Sequence, residues 1–201
     1  LGHRFESKKE VIEIQHADEY KEQMKAEGNV IVSFEERKTL IKNSLNDKAT
    51  NLSNQLTPIN DEDLLEEVTA LVEYPNVLVG EFESKFLEVP QECLILTMKA
   101  NQKYFPLIDK NNKLANQFLI VSNISPKNSS LIIQGNEKVI RPRLSDAEFF
   151  YTQDKKKPFK DYLSQLQHIV YHNKLGTQSE RVERVKTIAS LIVKNLNQPK
   201  L

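Results

Sequence analysis

The sequence predicts an α+β fold, with helices packed on a mostly antiparallel sheet and a helical C-terminal segment. Three observations support this class. Short β-branched or aromatic runs alternate with segments of helical periodicity. The runs at 103–108 and 117–121 flank a turn-rich stretch at 109–113, as in a β-hairpin. Residues 177–197 place apolar side chains on one helical face and charged side chains on the opposite face.

Composition limits the class of protein. The chain has 201 residues, of which 39% are hydrophobic, and this length is sufficient for one or two domains with their own cores. Its single cysteine excludes a disulfide framework and a thiolate zinc cluster. No apolar run approaches the roughly 20 residues of a membrane span. We therefore expect a cytoplasmic protein without a membrane partner and, because the chain begins at Leu1, a piece of a longer polypeptide.

Charge is balanced in the total but not along the chain. There are 28 basic and 28 acidic side chains, yet residues 61–100 carry ten acids against two lysines. Residues 151–201 carry ten lysines or arginines against four acids. This asymmetry predicts an acidic lobe and a basic lobe, and the basic lobe would attract a polyanion. The alternative is that both sets are solvated faces that lie near each other.

The first fifty residues predict alternating strands and helices. Runs of β-branched residues at 11–14 and 29–33 indicate strands. A helix over 16–27 follows the first, with Gly28 placed to end it. A helix over 34–46 follows the second, with Ser33 as N-cap and a glutamate three residues later, as in a capping box.

The central part predicts two further helices and three strands. Asp61 begins a helix whose apolar stripe is buried, and residues 77–82 form a strand. Pro90 begins a second helix, and Pro106 in the hairpin is expected at a sheet edge. The first stripe comprises Leu64, Leu65, Val68, Leu71 and Val72, and the second helix carries Cys93, Leu94, Leu96 and Met98.

Two more helices are predicted before the C-terminal one. The helix that begins after Asn128 meets Pro142, which should kink or break it, and a short helix follows over 158–167. The predicted domains are an N-terminal α/β unit at 1–46, a linker or loop at 47–60, a central α+β domain at 61–173, and a long amphipathic helix at 174–201 that starts a following helical domain.

Most catalytic patterns are absent from the sequence. It contains no GxxxxGK[ST] or GxGxxG phosphate loop and no GxSxG nucleophile elbow. Cys93 lies among apolar residues, so we expect a buried, inert thiol. His168 and His172 have the spacing of a metal pair on a helix, and His16 lies near Asp18, but neither pair has the further ligands of a metal site. No catalytic residue and no metal ligand is predicted.

The segment at 135–151 is the most informative. Arg141 and Arg143 flank a proline, which would present both guanidinium groups rigidly. One interpretation is a surface that faces a polyanion. The other is an internal ion network in which Asp146 and Glu148 are the partners of the two arginines.

Several motifs resemble the β subunit of bacterial glycyl-tRNA synthetase. They occur in the family's order over nearly the whole chain, except at 47–60. The motifs are GHRF at 2–5, HADEY at 16–20, LLEEVTALVEYP at 64–75, FLEVP at 86–90, TMKANQKYFP at 97–106 and GNEKVIRPRLSDAEFF at 135–150.

The resemblance implies a role in glycine–tRNA ligase, an α2β2 enzyme that joins glycine to tRNA-Gly with consumption of ATP. The α subunit holds the adenylate-forming site, and ATP and Mg are used by the holoenzyme, so no cofactor is expected in this chain. The β subunit contributes tRNA recognition and has a helical domain and an anticodon-binding domain further along. The implied partners are the α subunit, tRNA-Gly, and β–β or α–β contacts.

Combined with the charge pattern, the resemblance gives a set of RNA-binding candidates. Lys99 and Lys103 are weaker members, and the aromatic residues at 104–105 and 149–151 are assigned to the core. The favoured hypothesis is noncatalytic tRNA positioning and subunit scaffolding. The alternatives are a purely structural assembly module and a metal-dependent hydrolase or editing domain. The main candidates are Lys138, Arg141, Arg143, Lys155, Lys156, Lys157 and Lys160.

Overall fold

A computed structural model describes residues 1–52 and 56–196 and confirms the α+β class. Short 3-10 helices lie at Ala17–Glu19, Ser84–Glu88 and Phe159–His168. The helices are α1 Tyr20–Gly28, α2 Phe34–Thr50, α3 Glu62–Leu71, α4 Gln91–Gln102, α5 Ser130–Asp154 and α6 Gln178–Asn195. The strands are β1 Thr57–Pro58, β2 Asn76–Glu81, β3 Phe105–Ile108, β4 Leu114–Ser122, β5 Val170–His172 and β6 Gly176–Thr177.

Four strands form an antiparallel sheet in the order β1-β3-β4-β2. The predicted β3–β4 hairpin is confirmed, and its turn is fixed by Asp109. The Asp109 carboxylate accepts hydrogen bonds from the backbone N–H groups of Asn111 and Lys113 at 2.8 and 2.9 Å. Asn112 takes the left-handed conformation at φ 58°, which asparagine tolerates well.

The prediction that Pro106 lies at a sheet edge is wrong, because β3 is an interior strand. The backbone N–H of Ile59 donates to the Pro106 carbonyl at 3.0 Å, so this carbonyl faces the β1 side. The N–H and C=O of one residue point to the same side of a strand, so the missing donor of Pro106 also faces β1. The ladder between β1 and β3 ends there, after two residue pairs.

The main core lies between the sheet and helices α2 and α3. Leu71, for which the sequence predicts burial, is 64% exposed, and Leu96 of α4 is 66% exposed. Leu71 is the last residue of α3, and the extended backbone of Val72 turns that side chain inward instead. The core residues are Ile41, Leu45, Ala49, Leu56, Leu64, Leu65, Val68, Val72, Val77, Phe105, Leu107 and Leu119.

The predicted start of α2 at Ser33 is confirmed, but the predicted capping box is only half formed. The side chain of Ser33 accepts from the Glu36 N–H at 3.3 Å, while the Glu36 carboxylate accepts from Lys25 Nζ at 2.6 Å. The α2 helix continues to Thr50 and so extends into the predicted linker at 47–60, of which residues 53–55 lie outside the described part.

The two strands predicted near the N-terminus, at 11–14 and 29–33, are wrong. Neither segment forms a strand, and no neighbouring strand pairs with them in the described structure. Their β-branched residues Ile12 and Ile31 are instead buried individually, and the Ile31 N–H donates to the Glu73 carbonyl at 2.9 Å. A β-branched run forms a strand only where an unpaired strand edge is available.

A tight turn at the N-terminus has no counterpart in the sequence-based prediction. The buried imidazole of His3 accepts through Nδ1 from the backbone N–H groups of Phe5 and Glu6, both at 3.2 Å. A Cβ on Gly2 would lie 2.5 Å from the Gly28 Cα, so the two glycines allow the turn to approach the end of α1. Asn29, not Gly28, takes the left-handed C-cap position of α1, at φ 49°.

The α5 helix continues through Pro142, so the predicted break is wrong. A proline removes one intrahelical hydrogen bond, and the fully buried Ile140 and Leu144 on either side compensate by packing. The chain divides into two compact units, Leu1–Phe149 and a second unit from Phe150 onward. The domain boundaries predicted from the sequence stay predictions. In the described residues, no helix is long and apolar enough to cross a membrane.

The second unit contains a 3-10 helix, the β5–β6 hairpin and α6. The predicted short helix at 158–167 is the 3-10 helix Phe159–His168. The C-terminal amphipathic helix is confirmed as α6, with Thr177 and Glu180 forming a complete capping box, although its predicted end at 197 lies outside the described residues. No described residue of this unit is buried.

Candidate nucleic-acid interface

Within the first unit, one side of α5 contacts the chain between α4 and β3. The hydroxyl of Tyr104 donates to Asn136 Oδ1 at 2.7 Å, and Asn136 Nδ2 donates to the Ile132 carbonyl at 2.7 Å. Burial raises the pKa of Tyr104 to about 12, so the phenol stays a neutral donor. The expectation that Tyr104 and Phe105 belong to the core is confirmed, since both are buried.

The same side of α5 carries two charged contacts to the end of β2. Glu137 Oε1 accepts from the Glu81 backbone N–H at 3.0 Å. Arg141 Nε donates to Glu83 Oε1 at 2.5 Å. The pKa of Glu83 lies below its usual value because a backbone N–H, and then the Arg141 guanidinium, stabilise its ionised form. Arg141 therefore joins α5 to the loop after β2 through an ion pair.

The predicted ion network takes a different form in the structure. Arg141 pairs with Glu83, and within residues 1–52 and 56–196 neither Asp146 nor Glu148 forms an ion pair with Arg141 or Arg143. Asp146 and Arg143 are exposed, and Glu148 is half-buried. Asp146 lies far round the helix from Arg141, and Glu148 lies about two turns further along it, whereas Glu83 in the loop after β2 contacts Arg141 directly.

We expect Arg141→Ala to lower the free energy of unfolding by no more than about 1 kcal/mol, because both members of its ion pair are roughly half exposed. Urea unfolding followed by far-UV circular dichroism measures the change. Glu83→Gln should have the same effect, and the double variant should add little to either. A loss of several kcal/mol would show that the arginine is an essential structural residue.

The two weaker RNA-binding candidates each form an ion pair with an acidic side chain. Lys99 forms an ion pair with Asp61, and Lys103 Nζ lies 2.8 Å from Glu67 Oε1. Both pairs join α4 to α3 or its N-cap. A lysine that already neutralises a carboxylate contributes little net positive field. The structure thus assigns these two residues to the packing of the acidic half of the chain.

The other RNA-binding candidates, all of them outside the ion pairs above, are exposed. In the part of the chain that the structure describes, none of them has an acidic ion-pair partner. Lys138 and Arg143 lie on α5, and four more lysines lie close together in sequence, three directly after α5 and one in the first turn of the 3-10 helix. Lys155 Nζ lies 5.0 Å from the centre of the Tyr151 ring. We call Lys155, Lys156, Lys157 and Lys160 the lysine cluster.

The net charge of each unit agrees with the separation of the acid-paired cations from the unpaired lysine cluster. Residues 1–149 contain 18 basic and 24 acidic side chains, whereas residues 150–201 contain ten basic and four acidic ones. The lysine cluster lies in the basic unit. The predicted acidic and basic lobes therefore correspond approximately to the two compact units.

Several other predicted assignments are corrected. His168 ends the 3-10 helix and His172 lies in β5, so they do not share a helix face, and the described residues contain no group of three side chains able to hold a metal ion. Cys93 is exposed on α4, because the buried face of that helix passes through Leu94 and Met98. Phe149 and Phe150, assigned to the core, are exposed.

Comparison with known proteins agrees with the motifs. A family model described as glycyl-tRNA synthetase beta subunit matches residues 1–200. The chain is 60% identical over 195 residues to the glycine–tRNA ligase beta subunit of Acidovorax ebreus, and 58% identical to that of Delftia acidovorans; each match covers 97% of this chain and 27% or 28% of the relative. Identity to the Paracidovorax citrulli protein is 52% over 200 residues, which is 100% of this chain and 28% of the relative.

The chain thus spans little more than a quarter of the length of these relatives. The family match nevertheless covers almost all of it, and it includes the α5 segment and the N-terminal turn at 2–7. The chain belongs to the glycyl-tRNA synthetase beta subunit family.

Proposed function

We propose that this chain helps to position tRNA-Gly in a cytoplasmic glycine–tRNA ligase, which forms glycyl-tRNA, AMP and diphosphate from glycine, ATP and tRNA-Gly. In this proposal the α subunit carries out the adenylation with ATP and Mg, and this part of the β subunit is noncatalytic. The observation that carries the proposal is the lysine cluster, which is exposed and has no acidic partner in the described residues. The family match supplies the substrate class.

The physical basis is the density of phosphate on RNA. A lysine that neutralises a phosphate releases a condensed counterion, so each such pairing adds affinity at low salt. A-form RNA is recognised largely through its shape and backbone, which a group of mobile ammonium groups can follow. Arg141 is left out of the proposed surface because Glu83 already holds it, while Lys138 and Arg143 are further exposed cations on α5.

The test replaces Lys156 and Lys157 with glutamine in the full-length β subunit. We expect tRNA-Gly affinity at low salt to fall about tenfold or more, and the slope of log affinity against log salt to become shallower by roughly 0.7–0.9 for each phosphate that is no longer neutralised. Filter binding at several salt concentrations measures both quantities.

The matched control replaces Lys110 and Lys113, two exposed lysines in the β3–β4 turn, with glutamine. It removes the same charge from the first unit and should leave both the affinity and the slope unchanged. Equal losses for the two double variants would show a nonspecific charge effect, and no loss for either would remove the RNA contact.

Scaffolding is the second candidate role, and a specific observation favours it. The apolar face of α6 is exposed over its whole length in this chain. A contiguous exposed apolar stripe is typical of a surface that another protein surface covers. We propose that another part of the ligase assembly covers it. The exposed residues are Val182, Val185, Ile188, Leu191, Ile192 and Leu196.

A further inference from the structure

Phe159 is a large aromatic side chain that the chain itself does not cover. It is the first residue of the 3-10 helix Phe159–His168, directly after Pro158, and it is 88% exposed. The fixed φ of Pro158, −56°, restricts the backbone that presents the ring. Exposure of a phenyl ring to this extent has a hydrophobic cost that a binding partner would relieve.

The ring lies on a concave surface within the second unit. Lys157, Tyr162 and Leu163 line this surface with it, and so do Asp154 and Leu166. The lining is therefore mainly aromatic and aliphatic, with one cation and one carboxylate. The other lysines of the cluster lie within four residues of Phe159 along the chain and are exposed.

We propose that this concave surface is a stacking site for an unpaired nucleotide of the bound RNA, an inference that rests on the proposed function. The base stacks on Phe159, and the flanking phosphates lie against Lys156, Lys157 and Lys160. An aromatic ring beside a group of cations is the combination that single-stranded nucleic acid requires, since every base has a π-face and every nucleotide carries a phosphate.

The single carboxylate of the concave surface supports separate positions for the base and the phosphates. Asp154 would repel a phosphate, so the concave lining suits the base, and the flanking phosphates are left to Lys157 and to Lys156 and Lys160 beside it along the chain. A bound protein surface is a weaker explanation. The centre of a protein interface is depleted of charged residues, whereas here four lysines lie in the six positions 155–160.

The test uses Phe159→Leu in the full-length β subunit, since leucine keeps apolar bulk but removes the π-face. The probes are a single-stranded RNA of about ten nucleotides and a blunt duplex of the same sequence. We expect affinity for the single strand to fall by roughly tenfold, affinity for the duplex to be unchanged, and the salt slope to be unchanged because stacking releases no counterion. Fluorescence anisotropy titrations measure all three.

Leu163→Ala is the matched control, because it trims an apolar residue from the same surface without removing a ring. It should alter single-strand affinity by less than about twofold. If Phe159→Leu has no effect while Lys156→Gln and Lys157→Gln still weaken binding, the stacking site is wrong and the proposed function survives.

Three other outcomes would separate the stacking site from its alternatives. Loss of duplex and single-strand binding to the same extent would exclude a site for unpaired nucleotides. A lower melting temperature of the full-length subunit, with normal RNA binding, would show that Phe159 packs against another part of the polypeptide. If the unaltered subunit binds neither RNA at low salt, the proposed function itself fails.

Discussion

Replacing Leu144 with alanine is expected to lower the free energy of unfolding by about 2–5 kcal/mol. Leu144 has no exposed surface, and neither does Ile140 one turn before it on α5. The substitution removes three carbon atoms from a packed site and leaves a cavity that the helix cannot close without moving. Urea unfolding of the chain, followed by far-UV circular dichroism, measures the loss.

Val139→Ala provides the control on the same helix. Val139 is 48% exposed, so its truncation should change the free energy of unfolding by no more than about 0.5 kcal/mol. If the two variants were equally stable, α5 would not be held by its buried face.

The parts of the fold that follow from local chemistry could be predicted from the sequence. Ser33, Asp61 and Thr177 each cap a helix with their own side chain, and such a bond depends on residues only three positions apart. The β3–β4 hairpin is similar, because its turn is closed by the neighbouring Asp109.

The errors occur where distant residues decide the outcome. The runs at 11–14 and 29–33 have strand composition, but a strand needs an unpaired neighbour, and the sequence does not show that none is available. Pro142 has the local signature of a helix break, yet burial of Ile140 and Leu144 keeps α5 continuous. In both cases tertiary packing overrides local preference.

The sequence predicts which cations belong to the candidate site, but it does not show which of them are paired with acidic side chains. Nothing in the local sequence of Lys99, Lys103 or Arg141 separates them from the lysine cluster. Their acidic partners lie 36 to 58 residues away, and only the fold brings them together. Phe159 escapes sequence-based prediction because no periodic pattern includes it, although an aromatic residue after Lys-Lys-Lys-Pro is a usable signal.

Replacing Asp61 with alanine is expected to cost about 1–3 kcal/mol at pH 7, because one carboxylate performs two tasks. Its Oδ1 accepts from the Leu64 backbone N–H at 2.9 Å and so caps α3. It also forms the ion pair with Lys99 of α4, and both side chains are largely buried. Asp61→Asn separates the tasks, since asparagine keeps the cap acceptor and loses the charge; it should cost no more than about 1 kcal/mol.

The pH dependence gives the decisive control. The pKa of Asp61 lies below its usual value of 3.8, because the Lys99 ammonium and then the Leu64 N–H stabilise the ionised form. A carboxyl with a lowered folded pKa is protonated more readily in the unfolded chain, so its stabilisation is complete above the usual pKa and is lost as the pH falls through the folded one. The stability difference between Asp61→Asn and the unaltered chain should therefore be constant from pH 7 to about pH 5 and shrink below about pH 4. A difference that stays constant into acid would mean that the Asp61 charge is not stabilised by folding, and the link between α3 and α4 would then depend on apolar packing alone.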